Sequence, residues 1–154
     1  MKKISNLTLP QKILEGICFA ILAGMFLGLF LFWSRIPDQV PGHYNGAGEI
    51  DRWGSKWELL IPLGVTAFLY LLLTAICGLI WIFVRAGELP PSAYTCLAGM
   101  KLVTLGTFAV IEWRSASSQP MVGWLVPVVI VSGGVLIAGF AISCIRFAMK
   151  RSGK

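Results

Sequence analysis

Four long apolar runs dominate the sequence and limit the folds that it can adopt. They cover residues 13–33, 59–84, 94–113 and 121–147, and each reaches the ~20 residues that a helix needs to cross a bilayer. Because lipid offers no hydrogen-bonding partners, each run must satisfy its own backbone, as a helix does. With 56% hydrophobic and 13% charged residues, the composition excludes a soluble globule and a disordered chain. The sequence predicts one integral membrane domain over residues 1–154, an all-α four-helix transmembrane bundle.

The placement of basic residues predicts how the spans are oriented. One group lies at the chain ends and in the loop after the second span: Lys2, Lys3, Lys12, Arg85, Arg146, Lys150, Arg151 and Lys154. A smaller group lies on the other side: Arg35, Arg52, Lys56 and Arg114. The positive-inside rule therefore predicts cytoplasmic termini and an extracytoplasmic loop over residues 34–58. The net charge of +6 does not indicate nucleic-acid binding, because no basic stripe is interleaved with stacking aromatics.

Small residues recur along one side of the first span. Gly16, Ala20, Gly24 and Gly28 are spaced four apart and include a G-x-x-x-G pair, a pattern that lets a second helix approach closely in lipid. We expect this stripe to pack against the small residues of the fourth span, at positions 133, 134 and 138. A packing interface between two copies of the chain, and hence a homo-oligomer, is the alternative.

One lysine lies deep within an apolar run. Placing the charge of Lys101 in the third span costs on the order of a few kcal/mol of free energy unless the lysine is paired or reaches water. Glu15 lies at a comparable depth in the first span, so the two are predicted to form an intramembrane ion pair. Glu112 lies about 16 Å further along the third span, and it is expected to meet Arg114 at the outer surface. The alternative to a structural pair is a proton or ion relay in a small transporter subunit.

The loop over residues 34–58 contains the most informative polar residues. Asn45 and Gly46 predict a turn, and Tyr44 and Ile50 are then expected on the two strands of a small hairpin. The loop also holds the chain's single histidine, His43.

Three chemical interpretations of this loop compete. First, His43 with a carboxylate such as Asp51 could bind a divalent metal, which would indicate a membrane-embedded enzyme acting at the outer leaflet. Second, Ser34 or Ser55 with the same two residues could form a nucleophilic triad, although no G-x-S-x-G motif is present. Third, the polar groups could hold the loop in one shape, and a rigid loop can still bind a partner such as a peptide or a lipid headgroup. We favour the third interpretation, and we expect no cofactor.

The same loop resembles a motif of a known family. The motif has the form P-x-x-[IV]-P-x-H-[FWY]-N-x-x-G-x-x-D-x-x-x-x-K, and it is typical of the N-terminal domain of unknown function in the SdpI-type immunity family. The chain matches it at Pro37, Val40, Pro41, His43, Tyr44, Asn45, Gly48, Asp51 and Lys56. The resemblance implies a multi-pass protein of the bacterial cytoplasmic membrane. The named member of that family gives immunity to a secreted peptide toxin and helps relay its presence to a cytoplasmic repressor.

The resemblance and the residues together favour a non-enzymatic binding protein. We expect the loop to bind an extracytoplasmic peptide, lipid or protein partner, with toxin immunity or signalling as the specific role. The predicted partner-binding residues are Pro37, Asp38, Pro41, His43, Tyr44, Asn45, Gly48, Asp51 and Lys56. The other expected partner is the lipid bilayer.

Overall fold

The computed structural model describes residues 6–153 and contains four helices that are long and apolar enough to cross a membrane. Their bounds are α1 Leu9–Phe32, α2 Leu60–Ala86, α3 Pro91–Ala116 and α4 Leu125–Ser152. The all-α fold class with four membrane-spanning helices is therefore confirmed. Lys2, Lys3 and Lys154, which entered the charge comparison, lie outside the described residues.

The connection between α1 and α2 is a structured segment. It consists of the 3₁₀ turn Trp33–Arg35, the strands β1 Gln39–Tyr44 and β2 Ile50–Ser55, and the 3₁₀ turn Lys56–Leu59. The strands pair antiparallel and carry Tyr44 and Ile50 as the sequence predicted, and the structure places these two residues opposite each other. We call residues 39–55 the hairpin, the end of the bundle that carries it the hairpin end, and the other end the far end.

The third helix occupies the centre of the bundle. α1, α2 and α4 each pack extensively on α3, whereas α1 and α2 share a smaller contact and α4 rests mainly on α3. The larger cluster of buried apolar side chains lies at the hairpin end and joins α1, the hairpin and α2: Met25, Leu29, Ile36, Val40, Leu59 and Leu63. The hairpin thus contributes Val40 of β1 to the hydrophobic core, whereas no residue of β2 is buried.

The fourth helix begins later than the apolar run predicted. The run starts at Met121, but α4 starts at Leu125. The Met121 N–H donates to the Gly48 carbonyl at 2.7 Å, so this residue bonds to the hairpin tip and not within a helix. The link between α3 and α4 is therefore held by the hairpin.

The stripe of small residues on α1 does not pack as expected. At Gly16, Gly24 and Gly28, an added Cβ would meet no packing neighbour within 4 Å among residues 6–153. The expected packing of this stripe on α4 is therefore wrong. α1 instead buries Cys18, Met25 and Leu29, because these larger side chains offer more apolar surface than glycine does. An interface between two copies stays a prediction.

Close packing of α4 occurs elsewhere, on α3. An added Cβ at Gly99 of α3 would lie 2.9 Å from the Leu136 Cδ2 atom of α4. Gly139 of α4 also lies close to Cys96 of α3, with 3.6 Å between its added Cβ and the sulfur. The α3–α4 interface is thus tight in the half of the bundle nearer the far end.

Candidate functional site

The hairpin tip is bonded to the end of α3 and to the α3–α4 link. The Tyr44 hydroxyl donates to the Gln119 carbonyl at 3.1 Å and lies 3.2 Å from the Ser115 hydroxyl. The bond from Met121 to Gly48 adds a third attachment. These bonds fix the height and tilt of the hairpin over the bundle.

The turn of the hairpin depends on Asn45 and Gly48. The Asn45 Oδ1 atom accepts from the N–H groups of Ala47 and Glu49 at 2.9 and 3.0 Å. Its Nδ2 atom donates to the Glu49 carboxylate at 2.9 Å. Gly48 has a φ of 81°, and an added Cβ would lie 3.1 Å from the Met121 carbonyl oxygen. The turn therefore requires glycine here, both for its backbone conformation and for the close approach of the link.

The base of the hairpin is held by burial and by one ion pair. Val40 and Pro41 are buried at the start of β1. Lys56 Nζ lies 2.7 Å from Asp38 Oδ1, and the Lys56 N–H donates to the Asp38 carbonyl. The hydrogen bond from Lys56 lowers the pKa of Asp38 below its usual value. Pro37 lies exposed just before β1.

His43 and Asp51 form an exposed pair on the hairpin. The His43 Nδ1 atom lies 2.6 Å from Asp51 Oδ1, and the two side chains are 64% and 42% exposed. Such a surface pair contributes little to stability. Within residues 6–153 the side chains of His43 and Asp51 bond to each other, not to the bundle, and both remain accessible to solvent.

An arginine–glutamate pair beside the hairpin was missed from the sequence. Arg52 donates through Nη1 and Nη2 to the two Glu58 oxygens at 3.2 and 2.8 Å, and through Nη2 to the Gly42 carbonyl. An added Cβ at Gly42 would lie 2.7 Å from Arg52 Nη2, so glycine makes the room for this pair. The hydrogen bond to Glu58 raises the pKa of Arg52, which stays cationic. The sequence signal that could have indicated this pair is the abundance of glycine in the loop, because glycine leaves space for neighbouring side chains.

The enzyme interpretations gain no support from the hairpin geometry. Within residues 6–153, no three or more His, Cys, Asp or Glu side chains converge as a metal site would require. His43 and Asp51 are two ligands, whereas zinc sites use three or four from the protein. No bond joins Ser34 or Ser55 to His43 in the described part of the chain, and the Ser55 hydroxyl accepts from the Trp57 N–H at 3.4 Å.

A second polar cluster lies within the membrane-spanning region. The structure brings Lys101 of α3 and Glu15 of α1 into an ion pair, as the sequence predicted. Lys101 is fully buried, donates to the Thr74 hydroxyl of α2 at 3.0 Å, and has its Nζ 4.8 Å from the centre of the Tyr70 ring. The Tyr94 hydroxyl donates to Glu15 at 3.0 Å. The cluster thus joins three helices through one buried charge.

The expected contact between Glu112 and Arg114 is wrong. Arg114 donates to the Pro120 carbonyl at 2.8 Å and to the Gln119 side chain at 2.6 Å. Residues two apart on a helix point away from each other, so the pair could not form on α3. Glu112 is buried, 4% exposed, and its Oε2 atom has no hydrogen-bond partner in residues 6–153.

A groove of about 1000 Å³ lies beneath the hairpin, between α2, α3 and α4. It exists because α2 and α4 both pack on α3 without packing extensively on each other. Its mouth is lined by hairpin residues together with Glu58, and among them are His43 and Arg52. Its walls include these apolar side chains of the three helices: Ile61, Val65, Phe108, Ile111, Val126 and Ile130.

Comparison with known proteins finds a domain family whose model matches the hairpin and its flanking segments. Residues 20–67 match DUF1648, a domain of unknown function. This range holds the second half of α1, the hairpin and the start of α2. An uncharacterized protein of Archaeoglobus fulgidus is 40% identical over 57 residues, which are 37% of this chain and 31% of the relative. The match thus spans less than a third of that relative's length. No solved structure matches this chain.

Proposed function

We propose that this protein is a non-enzymatic binding protein of the bacterial cytoplasmic membrane, whose hairpin binds a peptide, lipid or protein partner outside the cell membrane. One observation carries the proposal: the hairpin is bonded firmly to the bundle while His43 and Asp51 stay exposed on it. A preorganised surface loses little conformational entropy when it binds. Rigidity combined with an exposed polar pair is what a recognition surface needs.

The charge distribution supports the proposed orientation. At the far end, the described basic residues Lys12, Arg85, Arg146, Lys150 and Arg151 outnumber the acidic residues. At the hairpin end, two of the basic residues are paired with carboxylates. The positive-inside rule favours a cytoplasmic far end and cytoplasmic termini. The exposed tryptophans at the hairpin end are those expected at a membrane interface.

Orientation has a direct test in intact cells. A cysteine introduced at the exposed Ala47 of the hairpin should react with a membrane-impermeant maleimide added outside. A cysteine introduced at the exposed Glu88 of the α2–α3 loop should react only after the cells are permeabilised. The native cysteines lie within helices and provide a low background. Labelling of Glu88→Cys alone from outside would reverse the proposed topology.

The specific role that we propose is immunity to a secreted peptide or signalling of its presence. Two observations support it: the motif's resemblance to SdpI-type immunity proteins, and the DUF1648 match over the hairpin and its flanking helices. α1 and α2 continue directly from the two ends of the hairpin segment. A partner bound at the hairpin would act on both helices, and through them on the far end.

The test is complementation of a deletion strain. The strain is challenged with the secreted peptide fraction of its own species and carries wild type, a His43→Ala/Asp51→Asn double variant, or Gln39→Ala. Gln39 is exposed on the same hairpin and serves as the matched control. Wild type and Gln39→Ala should restore growth, whereas the double variant should not, at equal membrane abundance. Full restoration by the double variant would contradict recognition by this pair.

A further inference from the structure

The groove beneath the hairpin opens toward the surrounding lipid. Ile61 of α2 and Ile130 of α4 lie on its walls, and they are 64% and 67% exposed in the isolated chain. Water in such a place would find few hydrogen-bonding partners, because the walls are mostly apolar. A hydrocarbon chain is the occupant that these walls favour.

The length of the groove matches one leaflet of a bilayer. From Thr107 to Ser115 it runs about 12 Å along α3, at ~1.5 Å of rise per residue. Half of the ~30 Å hydrocarbon core is ~15 Å. Further toward the far end, Leu136 packs directly on Gly99, and α3 and α4 close together. A transmembrane helix would need a groove through both leaflets, so the geometry favours a single acyl chain.

The mouth of the groove offers one cation and one anion side by side. Arg52 Nη2 lies 2.8 Å from Glu58 Oε2, and the side chains are 54% and 33% exposed. A guanidinium binds phosphate well, and a carboxylate attracts an ammonium group. A headgroup that carries both phosphate and ammonium complements this pair. A headgroup with phosphate alone would leave Glu58 facing a like charge.

We propose that the groove holds an acyl chain of a zwitterionic phospholipid, with the lipid's phosphate at Arg52 and its ammonium group at Glu58. This rests on the proposed function and deepens it, because it names a membrane lipid as a partner of the hairpin end. The lipid enters sideways between α2 and α4. Its headgroup then forms part of the surface beside His43.

Lipid retention by purified protein tests this proposal. The protein is reconstituted in vesicles of equimolar phosphatidylethanolamine and phosphatidylglycerol, extracted in mild detergent, and examined by native mass spectrometry. Wild type should retain one phosphatidylethanolamine per chain. Ile130→Trp and Ile61→Trp fill the groove from opposite walls, and each should lose the lipid. Val131→Trp is the matched control, because Val131 is 63% exposed on the same helix but lies outside the groove.

A separate variant tests the proposed position of the ammonium group at Glu58. Glu58→Gln removes the anion and leaves a cationic mouth, so the retained lipid should shift toward phosphatidylglycerol. Thermal unfolding followed by circular dichroism identifies any misfolded variant, and the two tryptophan variants on different helices keep the test decisive. The proposal is overturned by wild type without bound lipid, by undiminished lipid in both groove variants, by a wild-type preference for phosphatidylglycerol, or by a bound peptide.

The two proposals fail separately. If wild type retains no lipid but the His43→Ala/Asp51→Asn variant still fails to restore growth in cells, the hairpin remains a peptide- or protein-binding surface. Specific lipid retention with no cellular effect of that double variant would support the groove and contradict recognition through His43 and Asp51.

Discussion

Removing either partner of the buried pair of Lys101 and Glu15 should lower the free energy of unfolding, by an amount that depends on how deeply the remaining charge is buried. Lys101 is fully buried, whereas the Glu15 side chain is 23% exposed. Replacing Glu15 by methionine leaves the lysine charge with only the Thr74 hydroxyl and the face of the Tyr70 ring. Breaking a buried pair in this way costs about 3–5 kcal/mol in the free energy of unfolding.

Replacing Lys101 by methionine is expected to cost less. The remaining Glu15 carboxylate is partly exposed and keeps the Tyr94 hydroxyl as a donor at 3.0 Å. We expect a loss of about 1.5–3 kcal/mol, the range for a hydrogen bond to a charged group. The double variant leaves neither charge, so its loss should fall short of the sum of the single losses by about 1–3 kcal/mol.

The assay is a double-mutant cycle on protein purified in detergent. Denaturant unfolding followed by circular dichroism gives the four free energies, and Ile137→Met on the lipid-facing side of α4 controls for methionine itself. Additivity within about 0.5 kcal/mol would refute the coupling. So would a larger loss for Lys101→Met than for Glu15→Met. Unchanged stability with loss of ion flux would favour the relay alternative instead.

Two further predictions concern the hairpin. Gly48→Ala should lower the free energy of unfolding by about 1–2 kcal/mol, because Gly48 has a φ of 81° and lies against Met121. Gly46→Ala is the control: its added Cβ meets nothing within 4 Å among the described residues, so its stability should equal that of wild type. Thermal unfolding of both variants measures the difference. The hydrogen bond from Lys56 lowers the pKa of Asp38, so this bond stabilises the folded state at pH values above the usual pKa of 3.8, and the stabilisation is lost as the pH falls through the lowered pKa. An acid-induced change in tryptophan fluorescence should therefore disappear in Asp38→Asn. Persistence of the change in that variant would assign it to another group.

Features that rest on strong local energetics were predictable from the sequence. Four apolar runs predicted the four helices, because hydrocarbon leaves the backbone no other solution. The turn residues Asn45 and Gly46 predicted a hairpin with Tyr44 and Ile50 on its two strands, although not its register. The energetic penalty of an isolated charge in lipid predicted that Lys101 would find Glu15.

Features that depend on distant contacts were not predictable. The bond between Gly48 and Met121 joins segments that are far apart in sequence, and nothing local marks either residue as its partner. The six-residue spacing of Arg52 and Glu58 does not predict a contact, because the segment between them passes from a strand into a 3₁₀ turn and follows no single helical or strand period. Glu112 was assigned to Arg114 from nearness in sequence, although the rotation of α3 points the two side chains apart.

The stripe of small residues on α1 shows a further limit. A G-x-x-x-G pattern indicates that close approach is allowed, but it does not identify the partner. In this fold Gly16 and Gly24 stay uncovered, and the close helix contact falls at Gly99 of α3 instead. The larger side chains of α1 decided which of its faces is buried, since they bring more apolar surface to α3.

The central position of α3 has a consequence for biosynthesis. α3 carries a buried lysine, Lys101, and a buried glutamate, Glu112, and so is a poor candidate for entering lipid alone. α1 and α2 leave the ribosome first and bring Glu15 and Thr74 into the bilayer before Lys101 arrives. α4, uncharged from Leu125 until Arg146, needs no such acceptor and can follow last. The order of helices along the chain is thus also an order in which the partners of Lys101 precede it into the bilayer.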